Sequence, residues 1–379
     1  MTAVRDDNED VLLLPTSPTK ATGIVNFILT SLPLSVIYKL RDIGIINILN
    51  DILAALIGLG VVVTRPSILY SFLLLTSRMR TIKYGKSNTH YFQVFDSINI
   101  DKLSNEETKA VHIFVHGGAW GSGKPWMYRV ISDGLSQILE CHHTIVIGYP
   151  VYPYANIYEQ SESIYDAVKY IKEHECEIFR KKNYYTVVSK RHEYKYILCG
   201  HSSGANICSM AIMNSIGNRD KKKLVDTFVG LSGVYDIEKH YTWESGRGVQ
   251  EISPMKPAAL GIENFHMCSP TKLLEQNLMI VFDSNKLSAE KVNKVSYEEE
   301  VKKLFPETLL LHGNADDVVP YTSTLEFSNE LHKKNVANKV TLFQGDHAAP
   351  IIDTMLAKET IFKKRLLNSY ISIKKANIC

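Results

Sequence analysis

Hydrophobic residues in this chain follow two different patterns. From Gly23 to Leu75 they run almost without a break: GIVNFILTSLPLSVI, then YKLRD, then GIINILNDILAALIGLGVVVT over Gly44–Thr64, then SILYSFLLL over Ser67–Leu75. Beyond Tyr91 they come instead as short apolar runs separated by segments with helical spacing. YFQVFDS predicts an early strand, and Val111–Val115 (VHIFV) and Thr144–Ile147 predict strands covered on both faces. Further strands are expected at Tyr196–Cys199, Asp226–Gly233, Glu307–His312 and Lys339–Phe343. Between them, Ser161–His174 carries Ile164, Val168 and Ile171 on one helical face, and Ser323–Lys333 and Thr354–Ser372 read as helices. Strand and helix in alternation imply an α/β fold with a mostly parallel central sheet and right-handed crossovers. Residues 234–300 contain no clear strand and interrupt the alternation as a helical insertion, or lid, above the C-terminal strand ends.

The N-terminal region divides on a different criterion. Residues 1–20, with Asp6, Asp7, Glu9 and Asp10 ahead of PTSPTK, bury little and are expected to be a disordered tail; acids rather than lysines come first, so this is not a secretory leader. Residues 21–80 are expected to be hydrophobic, membrane-associated helices, and 81–379 the catalytic domain. The run Gly44–Thr64 approaches the roughly 20 apolar residues that span a bilayer, but Asn47, Asn50 and Asp51 spoil its first half. Two readings stand: a transmembrane or membrane-attached segment, and an amphipathic helical hairpin packed on its own domain. Arg78, Arg80, Lys83 and Lys86 follow directly, which places the catalytic domain on the cytoplasmic side if a membrane is the partner.

Composition narrows the function classes. With 379 residues, 45% of them hydrophobic, the chain can build one large α/β domain. A net charge of +3 gives no reason to expect nucleic acid, and the basic stretch Arg180–His192 reads as a solvated loop. The six cysteines (Cys141, Cys176, Cys199, Cys208, Cys268, Cys379) show no metal-ligand spacing, and Cys379 does not stand fourth from the end as prenylation requires. No metal or cofactor is expected.

The chemistry centres on KYILCGHSSGAN, Lys195–Asn206. Gly200-His201-Ser202-Ser203-Gly204 fits G-x-S-x-G between an apolar strand and a helically spaced run, the setting in which a strained turn lifts a serine above a sheet. A serine needs a base and the base an orienting acid. After the Glu307–His312 strand comes Gly313-Asn314-Ala315-Asp316-Asp317, and after the last strand Gly345-Asp346-His347. The order Ser, Asp, His is met, with Asp316 preferred over its neighbour Asp317 and His312 read as packing beneath the acid loop. His116-Gly117-Gly118-Ala119, with the Ser203 N–H, offers backbone donors for an oxyanion. Trp120, Glu244 and Arg247 are candidate substrate-binding residues, although the last two read first as a structural ion pair.

The stretches VHIFVHGGAW, ILCGHSSGAN, GLSGVYDIEKHY, LHGNADDVVP and GDH resemble the isoprenylcysteine alpha-carbonyl methylesterase group of α/β-hydrolases, relatives of kynurenine formamidase and hormone-sensitive-lipase-like esterases. The resemblance runs from about Ser67 to His347. It implies Ser202 as nucleophile, Asp316 as acid, His347 as base, and Gly117, Gly118, Ala119 and Ser203 at the oxyanion hole. It also implies an α/β-hydrolase fold, a prenylcysteine methyl ester or prenylated protein as substrate, and work at endoplasmic reticulum or Golgi membranes. One departure stands out: the group carries Asp-Tyr-Arg where this chain has Gly148-Tyr149-Pro150, which bears on loop geometry and substrate fit. An arylformamidase or general carboxylesterase is the alternative enzyme. An inactive hydrolase fold serving as a membrane-bound binding module is the alternative of another class.

Overall fold

The computed structural model describes residues 17–20, 32–96, 108–179, 193–217, 222–283, 286–355 and 361–376. The expected tail and the basic stretch Arg180–His192 therefore lie wholly or mostly outside the described residues. Strands β1 (Arg80–Lys83), β2 (Tyr91–Asp96), β3 (Thr108–Val115), β4 (His143–Ile147), β5 (Glu193–His201), β6 (Thr227–Leu231), β9 (Glu307–Gly313) and β10 (Asn338–Phe343) form one sheet in the order β1-β2-β4-β3-β5-β6-β9-β10. β1 and β2 are antiparallel to their neighbours, and the rest run parallel. Mostly parallel sheets need cover on both faces, and alternate side chains supply it. On β3, Val111, Ile113 and Val115 enter one core and Phe114 the other.

The helices are, in chain order, α1 (Leu34–Asp42), α2 (Ile45–Thr64), α3 (Pro66–Arg78), α4 (Arg129–Ile138), α5 (Ile157–Glu173), α6 (Glu175–Phe179), α7 (Ser203–Gly217), α8 (Ile237–Arg247), α9 (Met255–Ala258), α10 (Pro270–Gln276), α11 (Lys294–Leu304), α12 (Thr322–Lys333), α13 (Ala349–Met355) and α14 (Ile361–Ala376). The first core lies between the sheet and α5, α7, α8 and α12; the second holds Leu135 of α4, Phe362 and Leu366 of α14, and Leu75 of α3. Ser203 to Ile216 of α7 are all buried, which is why its sequence shows no polar stripe. The start of α5 is set by a capping box: Asn156 accepts from the Glu159 N–H and Glu159 accepts from the Asn156 N–H.

Three expectations change here. Residues 234–300 are not strand-free: β7 (Leu278–Asp283) and β8 (Lys286–Lys291) pair as an antiparallel hairpin apart from the main sheet. β8, KLSAEK, has too little apolar alternation to announce itself. Arg80 and Lys83, read as a juxtamembrane cluster, lie on the edge strand β1, with the Arg80 guanidinium donating to the Ile178 carbonyl. The expected transmembrane span is also corrected: no helix among the described residues is long and apolar enough to cross a membrane. The polar residues of α2 have another use. Asn47 Nδ2 donates to the Tyr152 carbonyl at 2.8 Å, and Asp51 Oδ1 accepts from the Gly123 N–H at 2.7 Å.

Candidate active site

Ser202 stands at the turn from β5 to α7 with φ 56°, the left-handed region that costs a residue with a side chain. Its N–H donates to the Leu231 carbonyl at 2.9 Å, which pins the turn to β6. The turn can be this tight because Gly204 has no side chain: a Cβ there would lie 2.4 Å from the His116 carbonyl oxygen. β3 and α7 thus approach closely enough to bring the His116–Ala119 turn beside Ser202.

The loops after β9 and β10 deliver the partners. His347 Nε2 lies 3.0 Å from Ser202 Oγ, and His347 Nδ1 lies 2.7 Å from Asp316 Oδ2. The carboxylate is an acceptor, so Nδ1 carries the hydrogen and Nε2 presents a lone pair to the serine hydroxyl. Asp316 Oδ1 accepts from the N–H groups of Val318 and Val319 at 2.9 and 2.8 Å. Burial alone would push the Asp316 carboxyl up; His347, together with His312, overrides it and holds the group well below the usual carboxylate range. Asp317 points elsewhere, its Oδ2 accepting from Thr19 Oγ1 at 2.8 Å.

Two further histidines brace this line: His312, expected to pack beneath the acid loop, and His201, to which no motif assigns a role. His201 Nε2 donates to the His347 carbonyl at 3.1 Å, and its ring is held neutral, its pKa lowered to about 3 by burial and by His347. His312 Nε2 faces the Val319 carbonyl at 3.0 Å and Asp316 Oδ2 at 3.1 Å, both acceptors, so it donates; Nδ1 takes the Thr324 hydroxyl at 2.7 Å. A histidine four residues before the acid is the only sequence signal for it.

Gly117 sits so close to the turn that a Cβ would lie 2.7 Å from the His201 carbonyl oxygen and 2.9 Å from Ser202 Cβ. Gly118 and Ala119 curl with φ 131° and 50°. Among the described residues, no backbone hydrogen bond uses the N–H of Gly118, Ala119 or Ser203. These donors can therefore serve a developing oxyanion. The turn is held from behind by Tyr149, whose hydroxyl donates to the His116 carbonyl at 2.7 Å and whose ring stacks on His116 at 4.5 Å. Tyr149 belongs to the Gly-Tyr-Pro that departs from the resembled pattern.

The candidate substrate residues fare differently. Trp120 is 1% exposed, its indole donating to Asn206 Oδ1 at 3.1 Å, while Asn206 Nδ2 donates to the Cys268 carbonyl at 3.0 Å. It is a post between the oxyanion turn, α7 and the insertion. α8 lies across the site: His240 is 6.4 Å from the Trp120 ring, and Trp243 Nε1 donates to the Asp317 carbonyl at 3.0 Å. Glu244 faces inward on α8, accepting from Ser253 Oγ at 2.9 Å, with His240 Nε2 at 3.6 Å. Burial pushes its carboxyl up to about 7. Arg247 makes no ion pair with it among the described residues.

Residues 98–331, which include the sharp Ser202 turn and the loop bearing Asp316, match the BD-FAE family model. The chain belongs to the BD-FAE family of α/β-hydrolases. The BD-FAE match covers β3, β4, β5, β6 and β9, leaves out the antiparallel β1 and β2 and the last strand β10, and stops short of His347. The chain is also similar to a probable isoprenylcysteine alpha-carbonyl methylesterase of Oryza sativa subsp. japonica, 24% identical over 285 residues, covering 70% of this chain and 57% of that protein. It thus spans little more than half the length of that relative. Among solved structures it resembles carboxyl esterase 2 of Tuber melanosporum, with TM-score 0.55 and 18% identity over 79% of this chain and 87% of that one. A Pyrobaculum calidifontis esterase matches with TM-score 0.53 and 15% identity over 88% and 99%. At these identities the likeness concerns the fold alone, that of an α/β-hydrolase.

Proposed function

We propose that this BD-FAE member is a serine hydrolase that cleaves carboxyl esters through an acyl-enzyme. The observation that carries the reading is the continuous line Asp316–His347–Ser202, 2.7 and 3.0 Å in its two links, ending beside unused N–H donors. Ser202 Oγ attacks the ester carbonyl as its proton passes to His347 Nε2. The negative charge moves onto the carbonyl oxygen, facing the N–H groups of Gly118, Ala119 and Ser203. His347 then gives that proton to the departing alkoxide, leaving the acyl group on Ser202, and water reverses the sequence. Asp316, charged and fourfold hydrogen-bonded, orients the imidazole and stabilises its cation.

The substrate we propose is a prenylcysteine methyl ester, free or at the end of a prenylated protein, met at a membrane surface. The similarity to the rice protein supports this choice, as does the physics of a substrate whose prenyl chain partitions into lipid. Glu244 and Arg247 belong to the same proposal as readers of the substrate's polar groups. The endoplasmic reticulum or Golgi setting rests on the resemblance alone. The test is hydrolysis of farnesylcysteine methyl ester, a short-chain ester and N-formylkynurenine by the purified full chain. Strong preference for the prenylated ester supports the assignment; cleavage of the short ester alone reduces it to a general carboxylesterase, and preference for N-formylkynurenine replaces it with an arylformamidase.

A further inference from the structure

Helix α2 is amphipathic in the inverted sense. Its polar Asn47 and Asp51, four residues apart, face the protein, while Ile45, Ile48, Leu49, Ile52 and Leu56 are 39 to 60% exposed along the opposite stripe. A helix in contact with water normally shows the reverse arrangement. The apolar surface continues onto neighbouring helices through Leu34 and Val36 of α1 and Tyr70 and Leu73 of α3, all exposed. Around it the unpaired exposed charge is positive. Lys39, Arg65 and Arg78 are exposed, whereas the acids of residues 34–78 are Asp42, bonded to Arg41 and to the Tyr152 hydroxyl, and Asp51, bonded to Gly123. An apolar face with a cationic rim complements an anionic lipid surface.

What α2 holds on its inner side is the back of the oxyanion turn. The Gly118 carbonyl accepts from the N–H groups of Gly121 and Ser122 at 3.0 Å each, and from Ser122 Oγ, so residues 118–122 form one unit. That unit is fixed to α2 by Asp51 at Gly123 and by close contact of Gly121 with Asn47, where a Cβ would lie 2.7 Å from Oδ1. Asn47 also holds the Tyr152 carbonyl, and the Tyr152 N–H donates to the Trp120 carbonyl at 2.8 Å. Donors at an oxyanion hole act only when held in place before the reaction.

We propose that α1 to α3 lie on an anionic lipid surface with this apolar face against it, and that α2 relays docking to the oxyanion turn through Asp51 and Asn47. In water α2 is held on the domain by its inner contacts alone; against lipid it is clamped between the bilayer and the domain, and the Gly118 and Ala119 donors are fixed. The proposal rests on the esterase reading above.

The experiment uses the full chain, a water-soluble short-chain ester, and vesicles of phosphatidylcholine with or without phosphatidylserine. Wild type is expected to sediment with the phosphatidylserine vesicles, less so at high salt, and to show a severalfold rise in kcat with little change in KM. L49Q/I52Q/L56Q is expected to keep the solution rate and lose both binding and the rise. Asp51→Ala is expected to bind vesicles but turn over slowly without a rise, whereas Asp51→Asn, which keeps an acceptor oxygen, retains much of it. Wild type that does not sediment, or sediments with unchanged kcat, overturns the proposal, as does Asp51→Ala that responds like wild type. Self-association of wild type that is abolished by L49Q/I52Q/L56Q makes the face a contact between copies and overturns it too. No turnover in any condition overturns the esterase reading, and the relay with it.

Discussion

His312 and His347 grip the same oxygen of Asp316, from 3.1 and 2.7 Å. The acid is therefore positioned by a second imidazole that never reaches the serine. His312 is fully buried and anchored by Thr324 and Val319, so it fixes where the carboxylate can point. His312→Leu should lower kcat on the order of 10- to 100-fold with KM little changed, since a misplacement of about 1 Å at a catalytic group costs that much. His312→Gln, which keeps a donor near the position of Nε2, should recover most of the loss. Steady-state kinetics on a short-chain ester check both, and equal loss in the two variants contradicts the positioning role.

Gly117→Ala probes the other side of the serine. The added methyl would come within 2.9 Å of Ser202 Cβ and 2.7 Å of the His201 carbonyl oxygen, so backbone must give way on one side or the other. Loss on the order of 10²-fold in kcat is expected, since a shift of about 1 Å at the turn misplaces the neighbouring oxyanion donors relative to Ser202. Circular dichroism should show the fold unchanged.

Much of this was legible in the chain, and the reasons differ by element. The Ser202 turn and the loops bearing Asp316 and His347 were readable because each is a short motif after an apolar strand, where local sequence dictates local shape. β8 was not, because KLSAEK lies outside the main sheet and its alternation rests on only two apolar residues, Leu287 and the small Ala289. The inner role of Asn47 and Asp51 was hidden for a related reason: a polar residue in an apolar run shows only that the run is interrupted, and tertiary contact decides what it bonds. Tyr149, His201 and Asn206 support the site through partners distant in sequence, which no single segment reveals.

Acid should destabilise this protein through its buried histidines. Burial lowers His112, His201 and His240 to about 3 and His116 to about 4. All four stay neutral in the fold down to those values, while in the unfolded chain they take up protons near pH 6.5. The unfolded state then binds more protons, so stability is full above about pH 6.5 and falls as pH drops from there towards 4. Each histidine contributes up to about 1.4 kcal/mol per pH unit. Chemical denaturation between pH 7 and 4 measures the slope; a flat profile contradicts the burial.

Glu244 should act in the opposite direction. Its carboxyl is raised to about 7 by burial, so the fold favours the protonated form and pays for ionisation as pH climbs from about 4.5 through 7. Glu244→Gln should therefore stabilise the protein at pH 8, on the order of 2 kcal/mol, and much less at pH 5. Melting temperatures of both proteins at the two pH values check this.

The most direct test of the account is covalent labelling of Ser202. A fluorophosphonate probe reacts only with a serine whose hydroxyl is activated, as the 3.0 Å contact with His347 Nε2 requires. Folded wild type should take up one equivalent of probe, and Ser202→Ala none. Wild type that stays unlabelled, or labelling that survives Ser202→Ala unchanged, contradicts the assignment of Ser202 as the nucleophile.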